Sequence, residues 1–162
     1  MQNYPLFSLI HIRKHREQYI KKTKHILEEQ LKNIEKKITA QQNTITNYHT
    51  WRIQEEEKEY TKIIGKNIHH TELEQFKNTF TILKQRELLL EQELEELQKI
   101  KEKYLAELQV QNNALKIAQK ECIKIEKHFE LWQEAYKKQT EKKEEAELEE
   151  FKSQTQINEN YE

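Results

Sequence analysis

LEQFKNTFTILKQRELLLEQELEEL, residues 73–97, sets apolar side chains three and four residues apart, and the pattern runs on to Tyr136. Its seam is Leu73, Phe76, Phe80, Leu83, Leu90, Leu94, Leu97, Tyr104, Leu108, Leu115, Ala118, Cys122, Ile125, Phe129, Trp132 and Tyr136, interrupted only by Glu87, Lys101 and Gln111. Such spacing predicts one long helix. A strict seven-residue repeat drifts off one face of a straight 3.6-residue helix, so a seam this long implies left-handed supercoiling against a partner helix. At 1.5 Å per residue the stretch would extend roughly 95 Å.

The partner is found upstream. Ile20, Leu27, Leu31, Ile34, Ile38, Gln41, Ile45 and Tyr48 keep the same spacing except at Lys24, and the phase shifts after Tyr48, where Trp51, Tyr60, Ile63 and Ile64 leave the register. Between the two seams stands Gly65-Lys66-Asn67, and Gly65 is the one glycine of 162 residues. Glycine takes the left-handed conformation that closes a helix C-terminus. Thr71-Glu72-Leu73-Glu74 then reads as a capping box for a new helix. A short connection returns the second helix antiparallel to the first.

The predicted fold is therefore all-α: a long two-helix antiparallel coiled-coil hairpin with left-handed supercoil. It occupies residues 1–152 as a single unit, with helix one over about 4–64, a turn at 65–71 and helix two over about 72–150. Asn3 and Pro5 suit the first helix start. A turn centred near residue 67 or 68 sets Ile38 near Leu97, Leu27 near Leu108 and Ile12 near Ile123. Phe129, Trp132 and Tyr136 then cover the start of helix one, the Glu-rich segment 141–150 overhangs as solvated helix, and 153–162 is expected to be disordered.

Composition agrees with rods. Charged residues make up 35% of the chain and hydrophobics another 35%, too polar for a globular core of this length. All 29 acidic residues are Glu, and Glu tolerates helix interiors where Asp competes for its own backbone. A net charge of −1 argues against nucleic acid as the main partner. Charge is nevertheless uneven: residues 1–40 carry nine Lys or Arg against four Glu, and residues 126–162 carry six against eleven.

The lone Cys122 cannot form an internal disulfide and sits in the seam as a small hydrophobe, which suits a reducing compartment. The run Leu6, Phe7, Leu9, Ile10, Ile12 is too short to span a bilayer and lacks a preceding basic segment, so neither an integral membrane segment nor a signal peptide is expected. No phosphate-binding glycine loop is present. His11 with His15, and His69 with His70, lack the neighbouring ligands of a metal site, so no metal and no cofactor is expected. A two-helix rod has little concavity in which to exclude water, which argues against catalysis.

The segment Tyr48-His49-Thr50-Trp51-Arg52-Ile53-Gln54-Glu55-Glu56, with the Leu73-Glu74-Gln75-Phe76 opening of helix two, resembles the YscO/SctO proteins of type III secretion systems, relatives of the flagellar protein FliJ. Tyr4-Pro5-Leu6, Leu9-Ile10 and Arg13-Lys14-His15-Arg16 resemble starts within that family. The resemblance implies a central stalk shaped like the γ subunit of rotary ATPases. Its paired ends would enter the pore of the hexameric secretion ATPase and its turn end would face the cytoplasmic ring of the export gate. It also implies a non-catalytic role, contact with export chaperones, and a place in the bacterial cytoplasm at the inner-membrane apparatus. A hairpin that satisfies its own seam is expected to be monomeric when free.

Three sets of residues follow as candidate sites, each with a plainer reading beside it. Phe76, Phe80 and Leu83 match the positions through which flagellar relatives touch the gate, but as seam residues they also suit simple packing on Ile63 and Ile64. Glu87 stands where the flagellar pattern has a His. Arg13, Lys14 and Arg16 are candidates for ATPase contact or a solvated charged face. The family motif residues Tyr48, Trp51, Arg52, Glu55 and Glu56 suit a partner surface or an aromatic clasp, with Arg52 stacked on Trp51 or paired with Glu55 or Glu56. A structural tether, or an escort for exported proteins, remains the alternative; the turn counts against an uninterrupted parallel dimer.

Overall fold

The structure, a computed structural model, describes residues 4–159, with side chains described through residue 153. Among them are two helices and no strand. Helix α1 is Phe7–Ile63, 57 residues, and α2 is His70–Glu159, 90 residues. Pro5 and Leu6 lie in a turn ahead of α1, where the Phe7 amide donates to the Tyr4 carbonyl at 3.1 Å. Asn3, the expected cap, lies outside the described residues.

The break between the helices is where the sequence puts it. Gly65 has φ +80°, and the Lys66 amide donates to the Ile63 carbonyl at 3.2 Å. No atom lies within 4 Å of the place a Cβ would take, so glycine is required here by backbone conformation and not by crowding. The start of α2 differs from expectation. Its cap is His69, whose amide donates to Glu72 Oε2 at 3.2 Å while its carbonyl accepts the Glu72 and Leu73 amides at 3.0 and 3.1 Å. The cap falls two residues early because Glu72, not Glu74, reaches back, and Thr71 is left inside the first turn.

Packing along the chain gathers into two compact units. One unit, residues 23–112, contains the turn and pairs the later part of α1 with the first half of α2. Antiparallel register is fixed by cross-helix bonds. Tyr48 Oη donates to the Leu83 carbonyl at 3.0 Å, and Gln41 Nε2 to the Leu90 carbonyl and to Glu93 Oε2, both at 3.0 Å. Lys101 Nζ meets Glu35 Oε1 at 3.0 Å. Leu27 lines a surface groove with Ala106, Glu107, Val110 and Gln111, in keeping with the expected register. Its buried apolar residues are Leu27, Ile34 and Leu90.

The other unit, residues 1–22 with 113–162, pairs the start of α1 with the later part of α2. Tyr4, Ile10 and Ile125 form a buried cluster, with Leu9, Phe129 and Trp132 packed against it. Ile20, Ala118 and Cys122 are buried as well. Phe129 and Trp132 thus cover the start of α1, whereas Tyr136 stacks on Trp132 with its centroid 5.2 Å away and stays 46% exposed. Ile12 and Ile123, expected to face each other, are both exposed; Ile10 and Ile125 take the inward places. Every residue from 141 to 150 is exposed. The helix then continues to Glu159 through residues expected to be disordered, because helix propagation needs one local bond per residue and no Gly or Pro intervenes.

Candidate partner-binding surfaces

Beside the turn, Phe76 and Phe80 form an aromatic trio with Tyr60. Phe76 and Phe80 centroids are 4.5 Å apart, and Tyr60 lies 5.3 Å from Phe76 and 5.2 Å from Phe80. Tyr60 is therefore their aromatic partner in α1; of the two expected partners, Ile63 is half-buried and lines one groove with Phe76, whereas Ile64, just past α1, is 73% exposed. Phe76, Phe80 and Leu83 are each half-buried, and Tyr60 is 52% exposed. An open groove bounded by Glu59, Ile63, Ile68, Glu72, Phe76 and Thr79 lies over this end. Near a helix-pair tip the partner helix runs out, so aromatic edges meet solvent.

The motif residues divide between inside and outside. Tyr48 points across to α2 and anchors on the Leu83 carbonyl; Trp51 leans on Tyr48 with centroids 5.4 Å apart and is 45% exposed. Arg52 is turned inward, its side chain only 12% exposed. Nη1 pairs with Glu56 Oε1, and Nε comes within 2.8 Å of Glu87 Oε2. That Nε proton is not aimed at the carboxylate, so the contact is an ion pair and not a hydrogen bond. Glu87 Oε1 meets His49 Nδ1 at 2.6 Å. Glu55 pairs with Lys58 at 3.1 Å instead of with Arg52. Arg52 thus chooses Glu56 and Glu87 over the face of Trp51.

This network explains two of the seam's polar interruptions. Glu87 faces Arg52 and His49, and Lys101 faces Glu35. A polar group in a coiled-coil seam disfavours every register that removes its partner, and so selects one pairing. Sequence reading marked Glu87 and Lys101 as breaks but missed their partners. The signal was available in Arg52 and His49, three residues apart and opposite Glu87 in the expected register.

The basic set is engaged within the chain. Arg13 Nη1 donates to the Glu121 carbonyl at 2.8 Å, Lys14 Nζ meets Glu126 Oε1 at 3.1 Å, and Arg16 Nη1 lies 3.9 Å from Glu121 Oε2. Arg13 is half-buried and holds α1 to α2, while the Lys14 and Arg16 side chains remain 52% and 66% exposed. Nearby, Tyr4 Oη and His128 Nδ1 are 2.6 Å apart, a bond that sequence reading did not foresee. Glu17 bonds Lys21 at 2.6 Å, and that hydrogen bond holds its carboxyl below the usual carboxylate range, with Cys122 and Gln119 assisting. Burial pushes the Cys122 thiol up, and the neighbouring Glu17 adds to the shift.

Among the described residues no three His, Cys, Asp or Glu side chains gather to hold a metal, and no helix is long and apolar enough to cross a membrane. What the chain presents is a pair of long helices, joined across their seams by apolar and matched polar contacts and edged with aromatic side chains: a helical protein of coiled-coil type. Residues 6–154 match the family described as type III secretion protein YscO, and the chain belongs to that family of secretion accessory proteins. No curated protein and no solved structure matches it.

Proposed function

We propose that this type III secretion protein is the non-catalytic central stalk that binds the hexameric secretion ATPase and links it to the cytoplasmic ring of the export gate. The observation that carries the reading is the placement of exposed groups within each unit. The unit holding the turn carries the half-buried Phe76–Phe80–Tyr60 trio, an aromatic edge suited to a gate contact. The unit holding both chain ends carries Lys14 and Arg16, whose charges are only partly used within the chain, and the exposed Glu-rich segment 141–150. An asymmetric coil in a sixfold ring touches unlike subunits differently, and it biases their nucleotide states by that difference in affinity. One copy serves six ATPase subunits, at the bacterial cytoplasmic face of the inner membrane, with export chaperones as further partners.

The test is co-purification with the cognate ATPase and the gate domain, with ATP turnover as the second readout. Phe76→Ala with Phe80→Ala is expected to weaken gate capture at unchanged helicity and unchanged ATPase stimulation. Charge reversal at Lys14 and Arg16 is expected to do the converse. Arg13 is unsuited to this test because its replacement also removes a bond to the Glu121 carbonyl. Unaltered capture and turnover in both variants would retire the stalk assignment.

A further inference from the structure

In a chain whose residues are 35% charged, the α1 segment between Lys37 and Glu55 contains one permanent charge, Arg52, and that side chain is turned inward to Glu56 and Glu87. The outer face of this segment is consequently neutral. Ala40, Asn43, Asn47, Thr50 and Gln54 follow one another at spacings of three and four on the side of α1 away from its seam, with Trp51 beside them, and all are exposed. The threonines here do not seek outside partners. Thr39, Thr44, Thr46 and Thr50 each donate their hydroxyl to the carbonyl four residues back, at 2.9 to 3.0 Å. A face without charge, with its hydroxyls already bonded, costs less to desolvate than a charged one, and its Asn43, Asn47 and Gln54 amides call for partners across a contact.

Its ends carry charge of opposite sign. The stripe continues to exposed Lys36 on one side and exposed Glu57 on the other, and neither forms an ion pair within the described residues. Asn47 stands at the middle. A two-fold axis beside Asn47 that runs a second α1 antiparallel to the first sets Lys36 of each copy against Glu57 of the other, Ala40 against Gln54, Asn43 against Thr50 and Asn47 against itself. The stripe is complementary to its own reverse, as an isologous contact requires. In parallel alignment, by contrast, like charges would meet at both ends.

We infer that this outer face of α1, from Lys36 to Glu57, is a self-association surface whose occupant is a second copy of the same chain in antiparallel orientation. The inference does not rest on the stalk reading, since it uses a face on which that reading places no contact. The stripe is only about 33 Å long and one helix wide. It falls below the area of a stable dimer, so the pair is transient and forms at concentrations on the order of 100 µM, leaving the monomer as the form at low concentration.

Sedimentation equilibrium of the full chain across a hundredfold concentration range tests this. The expected result is a weight-average mass that rises from 19.9 kDa towards twice that value. Asn47→Glu places two carboxylates at the axis and is expected to hold the mass at one chain throughout, with unchanged helicity by circular dichroism. Lys36→Glu alone and Glu57→Lys alone are each expected to weaken pairing several-fold, and the two together to restore it by exchanging the charges. A mass of one chain at all concentrations overturns the inference and returns the face to a different protein. Self-association indifferent to Asn47→Glu, or single charge variants that the double variant does not rescue, overturns it by showing that another face pairs.

Discussion

The two units hold their helices together with different proportions of apolar burial and polar bonding. The unit with the chain ends buries Tyr4, Ile10, Ile20, Ala118, Cys122 and Ile125 and lays Phe129 and Trp132 over the start of α1. The unit with the turn buries only Leu27, Ile34 and Leu90, leaves other apolar seam residues such as Ile38, Ile45, Leu94 and Leu97 half-buried, and adds Gln41, Tyr48, Arg52, Glu87 and Lys101, each bonded across the helix pair. The difference teaches where each kind of contact is useful. Apolar burial holds strands of chain whose ends lack a covalent link to one another, while beside a turn the loop already fixes proximity and polar pairs need only select register.

Removing apolar packing from the first unit should have the largest effect. Ile125→Ala, at a site 4% exposed, is expected to destabilise by about 2–3 kcal/mol, read by urea unfolding monitored at 222 nm. A loss below that of the Arg52 change described next would break the contrast between the units.

In the second unit, Arg52→Met strands the Glu56 and Glu87 carboxylates, whose side chains are 19% and 15% exposed. Partial solvent access lowers the penalty from that of a buried pair to about 1–2 kcal/mol. Adding Glu87→Leu should recover part of it, since an apolar pair then serves the seam while Glu56 stays without its partner. The register signature is separate: spin labels at Ile38 and Leu97 should show a broader distance distribution in the double variant than in the natural chain. An equally sharp distribution would mean the polar pair does not select register.

The smallest effect concerns pH. Glu17 in the first unit has its carboxyl held low by Lys21, and Glu95 in the second has its own held low by Lys99. A carboxyl lowered on folding contributes stability that is present above its unfolded value and lost as pH falls through the folded one. Both contributions should therefore fade in the acid range. Glu17→Gln should flatten the thermal midpoint between pH 5 and pH 3 more than Glu95→Gln, because Glu17 also engages Gln119 and Cys122 on the other helix. Equal slopes in the two variants would remove that cross-helix contribution.

Much of the fold was legible because its signals are local or periodic. The 3,4 seam from Leu73 and the lone Gly65 sufficed for two helices and a break, and the opposing seams for their antiparallel return. Less of the candidate sites could be read. Phe76 and Phe80 were visible as aromatic seam residues, but not their packing on Tyr60, which the heptad register leaves off the seam. Trp51 and Arg52 are adjacent in sequence yet face opposite ways, one to solvent and one to Glu87. Arg13, Lys14 and Arg16 read as one basic cluster, whereas Arg13 is a cross-helix anchor and the other two keep exposed charge.

What the sequence determined alone was helix, turn and helix, since backbone periodicity and the left-handed preference of a single glycine act over a few residues. Only the tertiary structure decided that Tyr4 meets His128 and that Glu87 is shared between Arg52 and His49. Those choices depend on which side chains arrive opposite one another across 35 to 124 residues of chain, and on the relative reach and desolvation of competing partners once they do.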